Sequence, residues 1–335
     1  MTIQKNISLK NYNTFGIDVL AKRFISVRSY SELKQLLKTE KKFFLISGGS
    51  NILLTSDIES LVVHIDMKGI FLDQETANEV YLTVNAGENW HAFVLWCIDH
   101  GYGSLENLSF IPGNVGTCPI QNIGAYGVEV KDVITKVTGI EITNSKKIEF
   151  SNSDCVFTYR DSIFKNRARG KYIITSVSFK LTKNHHVLNT SYGSITSFLE
   201  DKSIFNPTIR DVSNAVIAIR QSKLPDPNKI GNGGSFFKNP VISKEHFDTL
   251  RQQYPTIPGY MVSESTVKVP AGWLIEKAGF KGYRSGDAGV YEKQALVVVN
   301  YGNANGKEIL GLAKKIQVDV LERFDINLDM EVNVI

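Results

Sequence analysis

Three glycine-rich loops are the feature that most restricts how this 335-residue chain can fold. They occupy residues 48–51, 112–117 and 231–235. Glycine permits positive φ and lets successive backbone N–H groups converge, which is the arrangement that binds a pyrophosphate. Each loop taken singly is more often an ordinary turn. The surrounding segment 104–127, rich in Gly, Pro and Asn, is too irregular for a helix and too long for a passive turn, so we expect it to be functional.

Several common sites have no signature in the chain. No GxGxxG follows a predicted strand, and no GxxxxGK[ST] occurs, which argues against Rossmann and P-loop folds. The six histidines are scattered apart from one adjacent pair, and no HExxH is present, so we expect no metal. The GxSxG motif of serine hydrolases is also absent, which argues against that class of enzyme.

Charge and cysteine usage indicate which partners and which cellular compartment to expect for this protein. The 38 basic and 34 acidic residues give a net charge of +4 without a long block of one sign, so we expect no nucleic-acid partner. Cys97, Cys118 and Cys155 show no CxxC spacing, which is typical of a protein from a reducing compartment. No signal peptide and no apolar run of membrane-spanning length is apparent. We therefore expect a cytoplasmic protein that does not cross a membrane.

Apolar periodicity predicts an alternation of strands and helices. Residues 42–46 are typical of a buried strand, and a helix is predicted from Asn89 to His100, ended by Gly101. Asp211 is expected to cap a later helix. Further strands are predicted at 61–65, 80–84, 137–142, 172–181 and 295–299, and further helices at 271–278 and from about 305 onward.

The C-terminal segment 326–334 alternates apolar and polar residues, which predicts a strand. In that strand the polar side chains, Glu331 among them, project from one face.

Seven motifs, in order from residue 13 to residue 331, carry a family resemblance. They are specific as a set, although no single tetrapeptide among them is. The motifs are Asn13-Thr14-Phe15-Gly16, Gly49-Ser50-Asn51, Ile111-Pro112-Gly113, Pro119-Ile120-Gln121-Asn122-Ile123-Gly124-Ala125-Tyr126-Gly127, Tyr159-Arg160-Asp161-Ser162, Gly234-Ser235-Phe236-Phe237-Lys238-Asn239-Pro240 and Ala271-Gly272-Trp273-Leu274-Ile275. The chain resembles the bacterial UDP-N-acetylenolpyruvoylglucosamine reductase (MurB) family, and Tyr192-Gly193 resembles the tyrosine loop of its type I branch.

The resemblance implies an α+β fold of the FAD-binding PCMH, or vanillyl-alcohol-oxidase, type. Two α+β subdomains, 1–70 and 71–208, would bind FAD, and a C-terminal α+β domain, 209–325, would bind substrate. The last strand, 326–335, would return to the first subdomain. A fold that binds FAD through loops also accounts for the missing dinucleotide fingerprint.

The resemblance also implies non-covalent FAD as cofactor and NADPH as co-substrate. The residues it assigns to FAD lie in the first two glycine-rich loops and just beyond them: Gly48, Gly49, Ser50, Asn51, Gly113, Gly116, Thr117, Gln121, Asn122, Gly124, Ala125 and Tyr126. Thr117-Cys118 stands where the family commonly has two serines, so one hydroxyl is kept and the other becomes a thiol.

The implied reaction is the NADPH-dependent reduction of UDP-N-acetylenolpyruvoylglucosamine to UDP-N-acetylmuramate, a step of peptidoglycan precursor synthesis. Hydride that reaches the β carbon of an unsaturated carboxylate leaves an enediolate-like charge, which needs a fixed positive partner. The resemblance assigns this role to Arg160, with Glu331 beside it, and assigns protonation of the adjacent carbon to Ser235. A planar guanidinium suits a carboxylate better than an ammonium does.

The resemblance implies that a further set of residues binds the nucleotide sugar. We also expect the protein to be a monomer. Lysines suit a diphosphate as point charges, and Tyr192 is a candidate lid that excludes water. The set comprises Tyr159, Tyr192, Lys223, Asn239, Tyr260, Lys268 and Gln294.

Two other functions stay open. One is an FAD-dependent sugar or alcohol oxidase of the same fold superfamily, although such oxidases often tether FAD to a histidine or cysteine and residues 48–51 contain neither. The other is a non-catalytic nucleotide-sugar binding module, which the joint presence of Arg160, Ser235 and Glu331 makes a weaker interpretation.

Overall fold

The computed structural model describes residues 2–335, which form two compact units. The first unit contains residues 2–6, 22–48 and 59–222, and the second contains 7–21, 49–58 and 223–335. The chain therefore passes between the units several times. The three-domain division expected from the sequence stays a prediction.

Both units combine helices with mainly antiparallel sheets, as an α+β fold requires. The helices are α1 (Tyr30–Thr39), α2 (Trp90–Asp99), α3 (Ile195–Asp201), α4 (Ile209–Lys223), α5 (Lys244–Gln253), α6 (Ala271–Lys277) and α7 (Gly306–Phe324). The strands are β1 (Gln4–Ser8), β2 (Leu20–Val27), β3 (Phe43–Ile46), β4 (Ile52–Leu53), β5 (Ile58–Ile65), β6 (Ile70–Glu75), β7 (Glu79–Asn85), β8 (Gly124–Ala125), β9 (Val128–Glu129), β10 (Ile134–Glu141), β11 (Lys147–Ser151), β12 (Tyr172–Thr182), β13 (Gly231–Ser235), β14 (Val241–Ser243), β15 (Tyr260–Ser263), β16 (Thr266–Lys268), β17 (Arg284–Ser285), β18 (Ala288–Val290), β19 (Val297–Asn300) and β20 (Asn333–Val334).

A five-stranded antiparallel sheet, ordered β11-β10-β12-β7-β6, is the larger sheet of the first unit. Helix α2 packs on it, and Trp90, Phe93 and Phe179 are buried in their shared core. The side chain of Asn89 accepts a hydrogen bond from the Ala92 N–H and so caps the start of the helix. The Trp90 indole N–H donates to the Leu108 carbonyl at 2.9 Å. This bond ties the irregular segment 104–127 to the core.

The second sheet of the first unit runs β1-β2-β5-β3, with β3 parallel to β5 at its edge. The strand predicted at 42–46 is confirmed, but the expectation that it is buried is wrong. Only Ile46 is buried in β3, and Leu45 is 39% exposed. An edge strand has a neighbour on one side only, so apolar composition alone does not reveal its exposure.

Helix α4 begins at Ile209, three residues earlier than a cap at Asp211 requires. Asp211 instead accepts hydrogen bonds from the N–H and hydroxyl of Thr208, and the Thr208 hydroxyl accepts from the Asp211 N–H. This reciprocal pair is a capping box, in which Thr208 caps and Asp211 sits in the first turn. Val212 and Val216 form the apolar face of α4 and are buried against α3.

The second unit contains one sheet ordered β13-β19-β18-β17 and a smaller one ordered β14-β16-β15. Helix α7 starts at a capping box between Asn305 and Glu308, as its predicted start near residue 305 suggests. The single long C-terminal strand is not formed. Met330 bridges to Phe237, and only β20, further along, pairs in parallel with β4. Because the segment changes its pairing partner, buried and exposed residues still alternate along it, but its hydrogen-bond ladder is interrupted.

No helix within residues 2–335 combines the length and apolarity needed to span a bilayer.

Candidate active site

Two glycine-rich loops approach each other inside the first unit. A Cβ added to Gly48 would lie 2.8 Å from the Cα of Gly113, and Gly113 has a φ of +110°. The side chain of Asn114 donates to the Ser47 hydroxyl at 3.0 Å and holds the loops together. Within residues 2–335 the N–H groups of Gly48, Gly113 and Asn114 find no hydrogen-bond acceptor. Unsatisfied backbone donors grouped in this way fit an acceptor-rich ligand.

The segment that follows Gly113 is fixed by its own hydrogen bonds. Gly116 donates its N–H to Ala86, and a Cβ at Gly116 would lie 2.5 Å from the Ala86 Cβ. The Thr117 hydroxyl donates to the Asn114 carbonyl at 2.7 Å. Asn122 is fully buried, donating to the Thr158 carbonyl and accepting from the Lys131 N–H. Its amide therefore braces the loop that carries the next candidate residues.

Arg160 lies in a tight turn with a φ of +54°. The turn is closed by hydrogen bonds between the backbones of Thr158 and Asp161, both 3.1 Å long. One guanidinium nitrogen of Arg160 donates to the Gly124 carbonyl at 2.6 Å. Arg160 is thus anchored to the predicted FAD-binding segment by one nitrogen, and its other N–H groups are available to a ligand.

Arg220, on α4, is a candidate site residue that the motifs do not reveal. Its Nε donates to the Phe110 carbonyl at 3.1 Å, and no carboxylate within residues 2–335 pairs with it. Burial lowers the pKa of Arg220, the nearby Tyr126 hydroxyl acts in the opposite direction, and the Arg160 charge lowers it further. The guanidinium stays charged nevertheless. Two guanidinium groups without a protein counter-ion form a site suited to an anion.

The sequence does contain one signal for Arg220. It lies three residues before the predicted substrate residue Lys223, and such a spacing puts two side chains on one helix face.

Tyr192 and Tyr126 are neighbours in the first unit. Their rings meet edge to face with centroids 6.5 Å apart, and Tyr192 is 59% exposed. Burial raises the pKa of Tyr126, and the charge of Arg220 opposes that rise. Tyr159 is 65% exposed, with the Arg160 guanidinium 5.9 Å from its ring centroid. Exposed aromatic rings beside cationic groups suit contact with a nucleotide base or sugar.

Gly49 and Ser50, the other loop residues predicted to bind FAD, belong to the second unit. Gly49 has a φ of +57°, and a Cβ there would overlap the Tyr12 carbonyl oxygen. The Thr14 N–H donates to the Gly49 carbonyl at 3.1 Å. Only glycine can therefore occupy this position without moving the backbone.

Three predicted site residues come together in the second unit. The Glu331 N–H donates to the Phe236 carbonyl at 2.8 Å, which places Glu331 next to the strand that ends at Ser235. From the other side, the Asn51 side-chain amide donates to the Glu331 carbonyl at 3.3 Å. Ser235 is exposed and Glu331 is half-buried. The expected position of the Glu331 side chain on the polar face stays a prediction.

The predicted substrate residues of the second unit have distinct environments. The side-chain oxygen of Asn239, Oδ1, accepts a hydrogen bond from the Ala271 N–H at 2.9 Å and so caps α6, which leaves the side-chain NH₂ group for a ligand. Gln294 accepts from the Leu296 N–H. Tyr260 and Lys268 are paired across neighbouring strands, and Lys223 is the last residue of α4.

The comparisons with known proteins agree with this chemistry. Residues 21–146 match the FAD binding domain family, and residues 226–335 match the C-terminal domain of UDP-N-acetylenolpyruvoylglucosamine reductase. The crystal structure of the reductase (MurB) from Thermus caldophilus superimposes with a TM-score of 0.70, covering 100% of this chain and 99% of that one at 23% identity. The predicted fold class, an FAD-binding fold with a C-terminal α+β domain, is confirmed: the chain is a flavoprotein of this class.

Curated relatives identify the family within that class. The chain is 57% identical to the UDP-N-acetylenolpyruvoylglucosamine reductase of Flavobacterium johnsoniae, with 100% of both chains covered. It is 47% identical to the same reductase of Pseudomonas syringae over 99% of both. The chain belongs to the UDP-N-acetylenolpyruvoylglucosamine reductase family, as the motifs predict.

The residues present fit FAD. The acceptor-free N–H groups of Gly48, Gly113 and Asn114, at loops so close that Gly48 has no room for a side chain, match the needs of a pyrophosphate. The guanidinium groups without a protein counter-ion match those of a negatively charged ligand. No cluster of three or more His, Cys, Asp or Glu side chains suited to a metal occurs in the part of the chain described here.

Proposed function

We propose that this protein reduces UDP-N-acetylenolpyruvoylglucosamine to UDP-N-acetylmuramate, with FAD as cofactor and NADPH as the source of hydride. The observation that carries the proposal is the 57% identity to a curated reductase over the whole of both chains. The reaction makes a precursor of peptidoglycan, and we place the protein in the cytoplasm as a monomer.

FAD, when bound, supplies the redox chemistry by passing hydride to the substrate. The protein has to hold the flavin and the substrate in place and manage charge and protons. We assign binding of the FAD phosphates to the N–H groups of the glycine loops, among them Gly48 and Gly113. This assignment is supported by the lack of any protein acceptor for these N–H groups among residues 2–335, by the absence of room for a side chain at Gly48 and by the positive φ of Gly113.

We assign to Arg160 the stabilisation of the negative charge that develops on the substrate. Hydride addition to the enolpyruvyl double bond pushes negative charge onto its carboxylate, and a fixed guanidinium stabilises that charge without reorganising. The bond from Arg160 to Gly124 fixes one nitrogen and leaves the others for the carboxylate. We assign Arg220 to the same electrostatic role, because it is charged, partly buried and unpaired within residues 2–335.

Proton delivery is the task we assign to Ser235, with Glu331 as the third group of the catalytic set. A free serine hydroxyl is a weak acid, but the carbanion-like intermediate is a strong base. Ser235 is exposed on its strand and therefore accessible to a substrate. The two bonds to the backbone of Glu331 hold that residue beside the same strand.

The remaining assignments concern substrate binding. We assign the nucleotide sugar to Tyr159, Tyr192, Lys223, Asn239, Tyr260, Lys268 and Gln294. The exposed rings of Tyr159 and Tyr192 and the unused NH₂ group of Asn239 support their part of the assignment.

An anaerobic two-step experiment tests the function. NADPH should bleach the flavin absorbance of the purified protein, and UDP-N-acetylenolpyruvoylglucosamine added afterwards should restore it. Protein that binds no flavin when FAD is supplied, or whose reduced flavin is not reoxidised by this substrate, contradicts the proposal. Fast reoxidation by air with release of hydrogen peroxide would instead support the sugar or alcohol oxidase.

Replacing Ser235 by alanine tests the proton donor. We expect flavin reduction by NADPH to be unchanged and the substrate-dependent step to slow by about 10²–10⁴-fold, the usual contribution of general acid catalysis. An unchanged second step would refute the role of Ser235 while leaving the overall function intact.

A further inference from the structure

The strand that ends at Ser235 contains one residue more than its partner accommodates. On β13 and β19, Asn232 pairs with Val299 and Ser235 pairs with Val297. Between these pairs β13 advances by three residues and β19 by two. The surplus residue is absorbed at Gly233–Gly234, which makes this interruption a β-bulge.

The bulge depends on Gly234 and is held by Asn232. Gly234 has a φ of +72°, in the left-handed region that residues with a side chain rarely adopt. The buried side chain of Asn232 accepts a hydrogen bond from the Gly234 N–H at 3.0 Å and donates to the Pro225 and Ile230 carbonyls. Beyond the bulge, the Phe236 N–H donates to Leu296, so the ladder resumes at once.

This extra residue decides which way Ser235 points. Directly opposed residues of an antiparallel pair project to the same face, so Ser235 shares a face with Asn232 and Val297. In a regular strand, residues three apart project to opposite faces. Regular pairing from Asn232 onward would therefore turn Ser235 to the other face of the sheet.

We propose that Gly234 and Asn232 are positioning residues, whose bulge aims the Ser235 hydroxyl at the substrate; this rests on the proposed role of Ser235. Bulges commonly re-aim a side chain beside an active site. The proposal gives the third glycine-rich loop a task different from that of the first two. It directs a proton donor and does not bind phosphate.

The test is a series of substitutions at Gly234. An added Cβ meets no atom within 4 Å, so the position has room for a small side chain. Asparagine tolerates the left-handed region better than alanine, and a β-branched residue tolerates it least. We expect the substrate-dependent reoxidation of the flavin to be slowed least in Gly234→Asn, more in Gly234→Ala and most in Gly234→Val. The largest effect should be about a hundredfold, which is the usual cost of a misplaced catalytic group.

Comparing the rates of Gly234→Asn and Gly234→Ala separates an effect of backbone conformation from an effect of side-chain size. If backbone conformation matters, the larger asparagine is the better replacement; if bulk near the ligand matters, alanine is better. Alanine equal to or better than asparagine, or wild-type rates throughout, overturns the proposal. NADPH-driven flavin reduction does not use Ser235 and should be unchanged in every variant.

Gly286→Ala is the matched control. Gly286 has a φ of +61°, no atom within 4 Å of an added Cβ, and a place in the turn between β17 and β18 of the same sheet. Gly234→Ala and Gly286→Ala should lower the melting temperature similarly, but only the former should slow the second step.

A labelling experiment needs neither flavin nor turnover. The three native cysteines are buried, so in Ser235→Cys the introduced thiol is the one exposed to a thiol reagent. Adding Gly234→Val should slow labelling of the introduced thiol at least about tenfold relative to adding Gly286→Ala, because a reversed side chain takes the face on which the next residue, Phe236, is fully buried. Equal labelling rates overturn the proposal, and this result stands even if the proposed reductase activity fails.

Discussion

The N–H of Glu331 donates a hydrogen bond to the carbonyl of Phe236, the residue that follows Ser235. This bond joins segments almost a hundred residues apart in the chain, and it brings two predicted catalytic residues onto adjacent backbone. Because the bond involves only backbone atoms, the arrangement survives replacement of either side chain. Substitutions of Ser235 and Glu331 should therefore report on chemistry more than on folding.

Arg220→Met should weaken anion binding without weakening the fold. A hydrogen bond to a charged group contributes about 1.5–3 kcal/mol, so the affinity for the product should fall by about 10–100-fold. Stability should be equal or higher, because burying an unpaired charge is unfavourable. Calorimetric binding of UDP-N-acetylmuramate and thermal unfolding measure both effects. Unchanged affinity combined with a large loss of stability would mean that Arg220 is only structural.

Asn239 has two separable roles, as a cap of α6 and as a ligand donor. Asn239→Asp keeps the oxygen that accepts from Ala271 but loses the NH₂ group. We expect it to raise KM strongly with little change in melting temperature. Asn239→Ala should raise KM too, and should also destabilise the protein by about 1 kcal/mol, as lost caps do. An aspartate variant with a wild-type KM would show that the NH₂ group binds nothing.

His91 makes stability depend on pH. Its Nδ1 accepts a hydrogen bond from the Phe110 N–H, so the ring is neutral at that nitrogen. Burial lowers the pKa of His91, and the charge of Arg220 lowers it further. As the pH falls below about 6.5, the unfolded chain takes up a proton before the folded protein does, so stability falls, by at most about 1.4 kcal/mol per pH unit.

His91→Asn keeps an acceptor near the Nδ1 position and removes the titration. The variant should be less stable than wild type at about pH 7.5, and the difference should shrink at about pH 5.5. Urea unfolding at the two pH values measures it. The lowered pKa values of His64 and His186 act equally in both proteins and cancel. A pH-independent difference would contradict the prediction.

Gly49→Ala and Gly16→Ala separate lack of space from backbone strain. Both glycines have positive φ, but an added Cβ meets nothing within 4 Å at Gly16 and overlaps the Tyr12 carbonyl at Gly49. We expect a loss of about 1–2 kcal/mol for Gly16→Ala from conformation alone. Gly49→Ala should lose at least about 2 kcal/mol more and retain less FAD, because the backbone has to move. Urea unfolding and the flavin content of the purified variants measure this, and equal losses would refute it.

Local sequence patterns predict most elements because their causes are local. Asn89 and Asn305 begin helices through contacts within one turn, and the apolar face of α4 follows from its periodicity. The exposure of β3 could not be predicted, since it depends on having a neighbour on one side only. The cap of α4 is Thr208 and not Asp211, and the sequence does not separate the two because both are capping residue types.

The sequence by itself determined the family, the order of the elements and the candidate residue types, since motifs and periodicity are carried by neighbouring residues. Only the tertiary structure decided that Arg220 lies near Arg160 without a counter-ion, that Asn51 contacts Glu331, and that a bulge turns Ser235. The physical reason is the same in each case. Charge compensation, burial and strand register depend on residues that are distant in the chain and adjacent in space.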